Sequence, residues 1–115
     1  LDQWLAENPS IDPGRIYVTG LSRGGFGTFD LCYRRPAMIA AAAPLCGGGD
    51  PEKAKNIAAI PLWIFHGEVD PVIPVQHSID MYEALQKVGA QPRLTTYSTL
   101  GHAIWQETYY NPEVM

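Results

Sequence analysis

Charge is scarce in this 115-residue chain, at 17% of residues, and the net of −4 leaves positive charge scarcer still. With no basic stripe to meet phosphodiesters or acidic lipid, nucleic acid and an anionic membrane surface are excluded as partners. Long apolar runs are also missing: none approaches the roughly 20 residues of a membrane span. There is no internal repeat and no low-complexity tract. No Cys, His and carboxylate group has metal-site spacing and no Gly-rich phosphate loop occurs, so no metal and no cofactor are expected. Cysteine is limited to Cys32 and Cys46. They admit two readings, a disulfide or two buried thiols; their apolar surroundings favour thiols. What is abundant is apolar side chain, 46% of residues, enough for one globular domain at this length.

The most informative stretch is Arg15-Ile-Tyr-Val-Thr-Gly20-Leu-Ser22-Arg-Gly24-Gly25-Phe26. A β-branched run enters Gly-x-Ser-x-Gly, and Phe26, Phe29 and Tyr33 then follow at helical spacing. Strand, sharp turn and helix are the context a nucleophile elbow requires. Gly20 and Gly24, lacking Cβ, would let strand and helix approach closely while Ser22 projects from the sheet edge. A helix start offers unpaired backbone N–H groups, and that of Arg23 is the natural first donor to an oxyanion. The pentapeptide alone is moderate evidence, because a Gly-rich βα turn can carry an ordinary serine.

Taken in order, residues 1–8 read as a helix stopped by Pro9, and 10–14 as a turn. Strand one is placed at 15–20, and a helix runs from the elbow to Arg35 before Pro36. Strand two is 39–45; Asp50-Pro51 caps and opens a short helix to Ile57. Strand three, 61–65, is apolar without alternation, as in a parallel sheet buried on both faces. A helix over 75–88 carries Val75, Ile79, Tyr82, Leu85 and Val88 on its apolar stripe, with Gly89 as its cap. Strand four is 93–97 and a helical turn spans 103–108. Asn111-Pro112 reads as the opening of a further helix, and the chain is expected to be part of a longer polypeptide. Alternating strand and helix predicts an α/β fold, a parallel sheet with right-handed crossovers.

Chemistry in such a sheet belongs at the C-terminal strand ends. Three loops there deliver Ser22, Asp70 and His102, in the chain order of an α/β-hydrolase triad. His102 would take the serine proton, and Asp70 would fix the imidazole tautomer. Other candidates have structural readings: His66 as a residue ordering the loop around Gly67, His77 as solvated, and Asp50 as an N-cap. Glu68 is a rival acid, but Pro71 and Pro74 stiffen the loop that carries Asp70.

The motifs Asp12-Pro-x-Arg15-Ile-Tyr-Val-Thr-Gly-Leu-Ser22-x-Gly-Gly25, His66-Gly-x-x-Asp70-x-x-Ile-Pro74 and Gly101-His102 resemble those of α/β-hydrolase-fold serine esterases. The likeness is to the C-terminal half of bacterial prolyl-oligopeptidase-like, dienelactone-hydrolase-like and polyhydroxyalkanoate-depolymerase-like enzymes. It implies helices on both faces of a sheet of which this chain carries the last four strands, and a hydrolase of small acyl, aryl or feruloyl-type esters. A prolyl-oligopeptidase-type peptidase is the runner-up, and a non-catalytic binding or assembly piece is the reading from another class. The resemblance also implies that an N-terminal half, in the same protein or a second chain, supplies the other oxyanion donor and pairs with strand one, which is otherwise an exposed edge. It favours a secreted or periplasmic setting. Arg23 departs from the Met or Gln of many relatives. Trp105, Cys46 and Gly47 are candidate pocket walls, with Trp105 equally readable as core.

Overall fold

A computed structural model describes residues 2–10 and 13–113. Helix α1 (Asp2–Glu7) leads through a 3-10 turn (Pro13–Arg15) into β1 (Tyr17–Leu21) and α2 (Arg23–Arg34). Then come β2 (Ala41–Leu45), a 3-10 helix (Pro51–Ile57), β3 (Trp63–Gly67), α3 (Gln76–Lys87), β4 (Arg93–Tyr97) and α4 (Trp105–Tyr109). The four strands form one parallel sheet in the order β1-β2-β3-β4. That is the expected fold class, with every strand in sequence order.

Three strands begin later than the sequence suggests, β2 among them: placed at 39–45, it starts at Ala41. Pro13–Arg15 is taken up by the 3-10 turn, so β1 starts at Tyr17 and includes Leu21. Pro61 has no N–H to give a ladder and only accepts from Ala42, at 3.0 Å. β3 therefore starts at Trp63, and His66 and Gly67 lie inside it. Its Ile64, Phe65, His66 and Gly67 are all buried, as expected of a strand covered on both faces.

α2 and α3 pack on the sheet, and the 3-10 helix packs against both of them. Phe29, Cys32, Ile57, Ile64, Met81 and Leu85 are fully buried in that layer. The helix faces turned inward differ from the apolar stripes. On α2 they are Gly25, Thr28, Phe29 and Cys32, while Phe26 is 37% exposed and meets the His77 ring edge-on at 6.1 Å. The helix lies so close to β2 that a Cβ on Gly25 would stand 2.5 Å from the Leu45 carbonyl oxygen, and Thr28 returns its hydroxyl to the Gly24 carbonyl at 2.7 Å. On α3 the buried line is Ser78, Met81 and Leu85; Ile79 and Tyr82 are half-buried and Val88 is exposed. Hydropathy misplaced this stripe because Ser78 is buried through a side-chain partner, described below.

The caps follow their expected chemistry. Asp50 accepts from the Glu52 N–H at 3.0 Å, with Pro51 at the first position. α3 ends in a Schellman motif: the Gly89 N–H meets Gln86 O and the Ala90 N–H meets Leu85 O, both at 3.1 Å, with Gly89 at φ 84°. The opposite sheet face is covered at its C-terminal end by α4, where Leu45, Cys46, Phe65 and Ile104 form a second buried cluster. Further down that face Tyr17, Thr19, Ala41, Ala43, Trp63 and Arg93 line an open groove of about 590 Å³. β1 forms one edge of the sheet, with Tyr17 68% and Leu21 38% exposed. At the chain's end Asn111 Oδ1 accepts from the Glu113 N–H at 3.0 Å; the rest of the helix expected there lies outside the described residues.

Candidate active site

Ser22 stands between β1 and α2 at φ 56°, ψ −114°, a left-handed conformation that a residue with a Cβ adopts only under constraint. Its N–H donates to Leu45 O at 2.9 Å, and its C=O accepts from Gly25 and Phe26 at 2.9 and 3.1 Å. Gly20 makes the turn possible: a Cβ there would lie 2.5 Å from the Gly24 carbonyl oxygen. Gly24, expected to share that role, faces open space; Gly25 and Gly47 are the glycines in close approach behind the elbow. Arg23 is the first residue of α2, where a backbone N–H has no acceptor within its own helix.

Asp70 follows β3 and is buried. Its Oδ1 accepts from the backbone N–H groups of Val72 and Ile73 at 2.8 and 2.9 Å. Its Oδ2 lies 2.6 Å from His102 Nδ1. Burial by itself would raise the Asp70 pKa, but the His102 hydrogen bond and the Ile73 and Val72 N–H groups outweigh it and hold the carboxyl below its ordinary value. A carboxylate only accepts, so Nδ1 of His102 carries the proton and Nε2 is left as the basic nitrogen.

The loops bearing these two residues are tied together. Glu68 N–H donates to Tyr97 O at 3.0 Å and Val69 N–H to Leu100 O at 3.2 Å. Gly67 sits where any Cβ would strike the Leu100 and Gly101 carbonyl oxygens. Glu68, the rival acid, instead receives the Thr96 hydroxyl at 3.0 Å and is exposed.

His66 does order its loop. It is fully buried, with Nδ1 2.6 Å from Ser78 Oγ, Nε2 2.7 Å from Ile73 O, and Nε2 3.4 Å from Asp70 Oδ2. Burial pushes its pKa down, so the ring is held neutral. The contact with Ser78 escaped the sequence reading. The available signal was a serine on an otherwise apolar helix line, 12 residues after a histidine ending a buried strand.

Cys32 and Cys46 are both free and buried. Burial pushes the Cys32 thiol up to about 11. It raises that of Cys46 as well, against the pull of the Ser22 backbone N–H. Cys46, at φ 42°, places its sulfur 3.4 Å from the His102 carbonyl oxygen. Of the expected pocket walls, Cys46 adjoins the triad candidates. Gly47 is buried against the backbone of Gly25 and Phe26. Trp105 is 41% exposed at the start of α4, so it is not core. Among the described residues, Cys46, Asp70 and His102 form the group with metal-ligand chemistry, their ligand atoms within 4.8 Å of one another. The Asp70 and His102 atoms already satisfy each other, which accounts for the cluster without an ion. No hydrogen bond joins Ser22 Oγ to His102 among the described contacts.

A parallel sheet with a strained serine after one strand, and a joined carboxylate and imidazole after two others, defines the α/β-hydrolase fold. The profile of the dienelactone hydrolase family matches residues 2–113, and the chain belongs to that family. A solved thermostable esterase superposes with a TM-score of 0.92 at 41% identity, over 97% of this chain and 32% of its own. Poly(3-hydroxyalkanoate) depolymerase C of Paucimonas lemoignei is 54% identical over 44 residues, 38% of this chain and 11% of the depolymerase. An acylaminoacyl peptidase of Pyrococcus horikoshii, 19% identical with a TM-score of 0.83 over 92% of this chain and 23% of its own, shares the fold. The chain thus spans a third or less of each of these relatives.

Proposed function

We propose that the chain carries the reacting groups of a carboxylic-ester hydrolase working through an acyl-enzyme on Ser22. The observation that carries this reading is the 2.6 Å Asp70–His102 hydrogen bond, which leaves a basic Nε2 on a residue that follows a strained serine and its acid in triad order. In the first half-reaction His102 Nε2 takes the Ser22 hydroxyl proton as Oγ attacks the ester carbonyl carbon. The Arg23 N–H steadies the oxyanion. Collapse breaks the carbon–oxygen bond to the alcohol, which leaves with the proton from His102. A water then gives its proton to His102 and attacks the acyl carbon, and Ser22 recovers its proton as the acid departs.

Small acyl and aryl esters, feruloyl-type esters included, are the proposed substrates. The esterase and depolymerase likenesses support ester over peptide, since the peptidase likeness is at fold level. The second oxyanion donor, in this reading, comes from a segment outside the 115 residues. The test is labelling of the full-length protein by a fluorophosphonate, followed by a panel of p-nitrophenyl and feruloyl esters and proline peptides. Labelling lost in Ser22→Ala, with ester turnover reduced on the order of 10⁶-fold, is the expected result. An unlabelled, folded wild type would sink the reading in favour of a binding role, and peptide turnover without ester turnover would transfer it to the peptidase class.

A further inference from the structure

The chain of buried contacts behind Asp70 extends beyond the three residues assigned to chemistry. It starts on α3. Ser78 is 1% exposed, and its hydroxyl lies 2.6 Å from His66 Nδ1. On the other side of the ring, Nε2 faces the Ile73 carbonyl at 2.7 Å. A carbonyl only accepts, so Nε2 carries the proton; the neutral ring then accepts from Ser78 at Nδ1. The Ile73 carbonyl sets the tautomer, and the Ser78 hydroxyl, which also lies 3.4 Å from Gly47 O, conforms to it by donating to Nδ1.

Ile73 links the imidazole to the carboxylate. Its C=O is held by His66, and its N–H donates to Asp70 Oδ1 at 2.9 Å. Both backbone polar groups of one loop residue are thus pinned, one to the buried strand and one to the carboxylate that orients His102. Pro74 follows and stiffens the same segment. His66 Nε2 also lies 3.4 Å from Asp70 Oδ2, on the oxygen that faces His102. Fixing φ/ψ of neighbouring core residues would suffice to order a loop. A fully buried imidazole with every nitrogen committed, next to the acid, is a costlier arrangement than ordering alone requires.

We infer that His66 and Ser78 are positioning residues: their hydrogen bonds clamp Ile73, which holds the Asp70 carboxylate in register with His102. The inference rests on the ester-hydrolase reading for its kinetic consequence but not for its geometric one. Neither residue touches substrate or reacting atoms.

The test uses the full-length protein and three variants. His66→Gln keeps an N–H donor at the Nε2 position, His66→Asn withdraws it, and Ser78→Ala removes the hydrogen bond at Nδ1. Two readouts are taken: kcat and KM on p-nitrophenyl acetate, and the downfield proton NMR signal of the Nδ1–H between His102 and Asp70. For folded His66→Asn, kcat falls about 10²-fold with KM within twofold, because misplacing the base by an ångström acts on the transition state. The downfield signal shifts or broadens. His66→Gln restores the signal and brings kcat to within about threefold of wild type, and Ser78→Ala lowers kcat about threefold. Wild-type kcat and signal in His66→Asn, or Gln behaving no better than Asn, overturns the inference. Where His66→Asn does not fold, Ser78→Ala decides: a shifted signal supports the clamp and an unmoved one overturns it. A wild type without ester turnover refutes the proposed function, and the NMR signal still decides the clamp.

Discussion

Two loops at the same end of the sheet are held in opposite ways. The Asp70 loop is saturated with hydrogen bonds: both carboxylate oxygens, both His66 nitrogens and both backbone groups of Ile73 have partners between 2.6 and 2.9 Å. The Ser22 elbow is held by backbone geometry instead. Its serine sits at φ 56°, wedged where strand and helix meet at Gly20, and its hydroxyl makes no hydrogen bond to the helix it opens. The difference matches the tasks proposed for them. An acid must stay ionised and still, which hydrogen bonds achieve. A nucleophile must stay accessible, which leaves strain as the means of fixing it.

The sharpest way to break this comparison is to remove the charge from the saturated loop. In Asp70→Asn the Val72 and Ile73 N–H groups still have an oxygen to bond, but the amide N–H₂ now faces His102 Nδ1 and forces the proton to Nε2. Ester turnover in the full-length protein is expected to fall about 10⁴-fold in kcat while the fold is kept. A loss below about tenfold would mean that the Asp70–His102 bond does not set the base.

The elbow is tested by its glycines. Gly20→Ala drives a Cβ into the Gly24 carbonyl and is expected to destabilise the chain by about 1–3 kcal/mol. Gly24→Ala, with open space at its Cβ, is expected to stabilise it by about 0.4–1 kcal/mol. Urea midpoints at constant slope report both. Equal destabilisation by the two would show that the strain is spread over the turn instead of residing at Gly20.

The smallest effect is a pH dependence of stability. Folded-state pKa values are depressed for His66, by burial, and for Asp70, where the hydrogen bonds from His102 and the backbone override burial. In both cases the unfolded chain binds more protons, so stability rises with pH. It is fully present above the ordinary imidazole value of 6.5, and declines first as His66 is forced to charge below it. It declines again as Asp70 protonates below its ordinary 3.8. Thermal melts of His66→Gln should lack the upper step and keep the lower. An upper step that persists would assign it to another group.

Local chemistry in the sequence determined a good deal. Gly-x-Ser-x-Gly after a β-branched run, Pro and Gly at the turns, Asp50-Pro51 at a helix start and Gly89 at a helix end each act over a few residues, so each was legible at its place. Ser22, Asp70 and His102 each follow a strand of a βα unit, and such repetition makes the strands parallel, so the loops after them fall at one end of the sheet. What depends on contact between distant segments was decided by the tertiary structure. Ser78 turned α3 because a histidine 12 residues earlier offered its hydroxyl a buried partner. Gly25 displaced Phe26 from the core face of α2 because β2 approaches too closely for a side chain. Gly24 and Gly25 are one residue apart and indistinguishable by composition; only the packing of helix on sheet separates a glycine that tolerates a Cβ from one that does not.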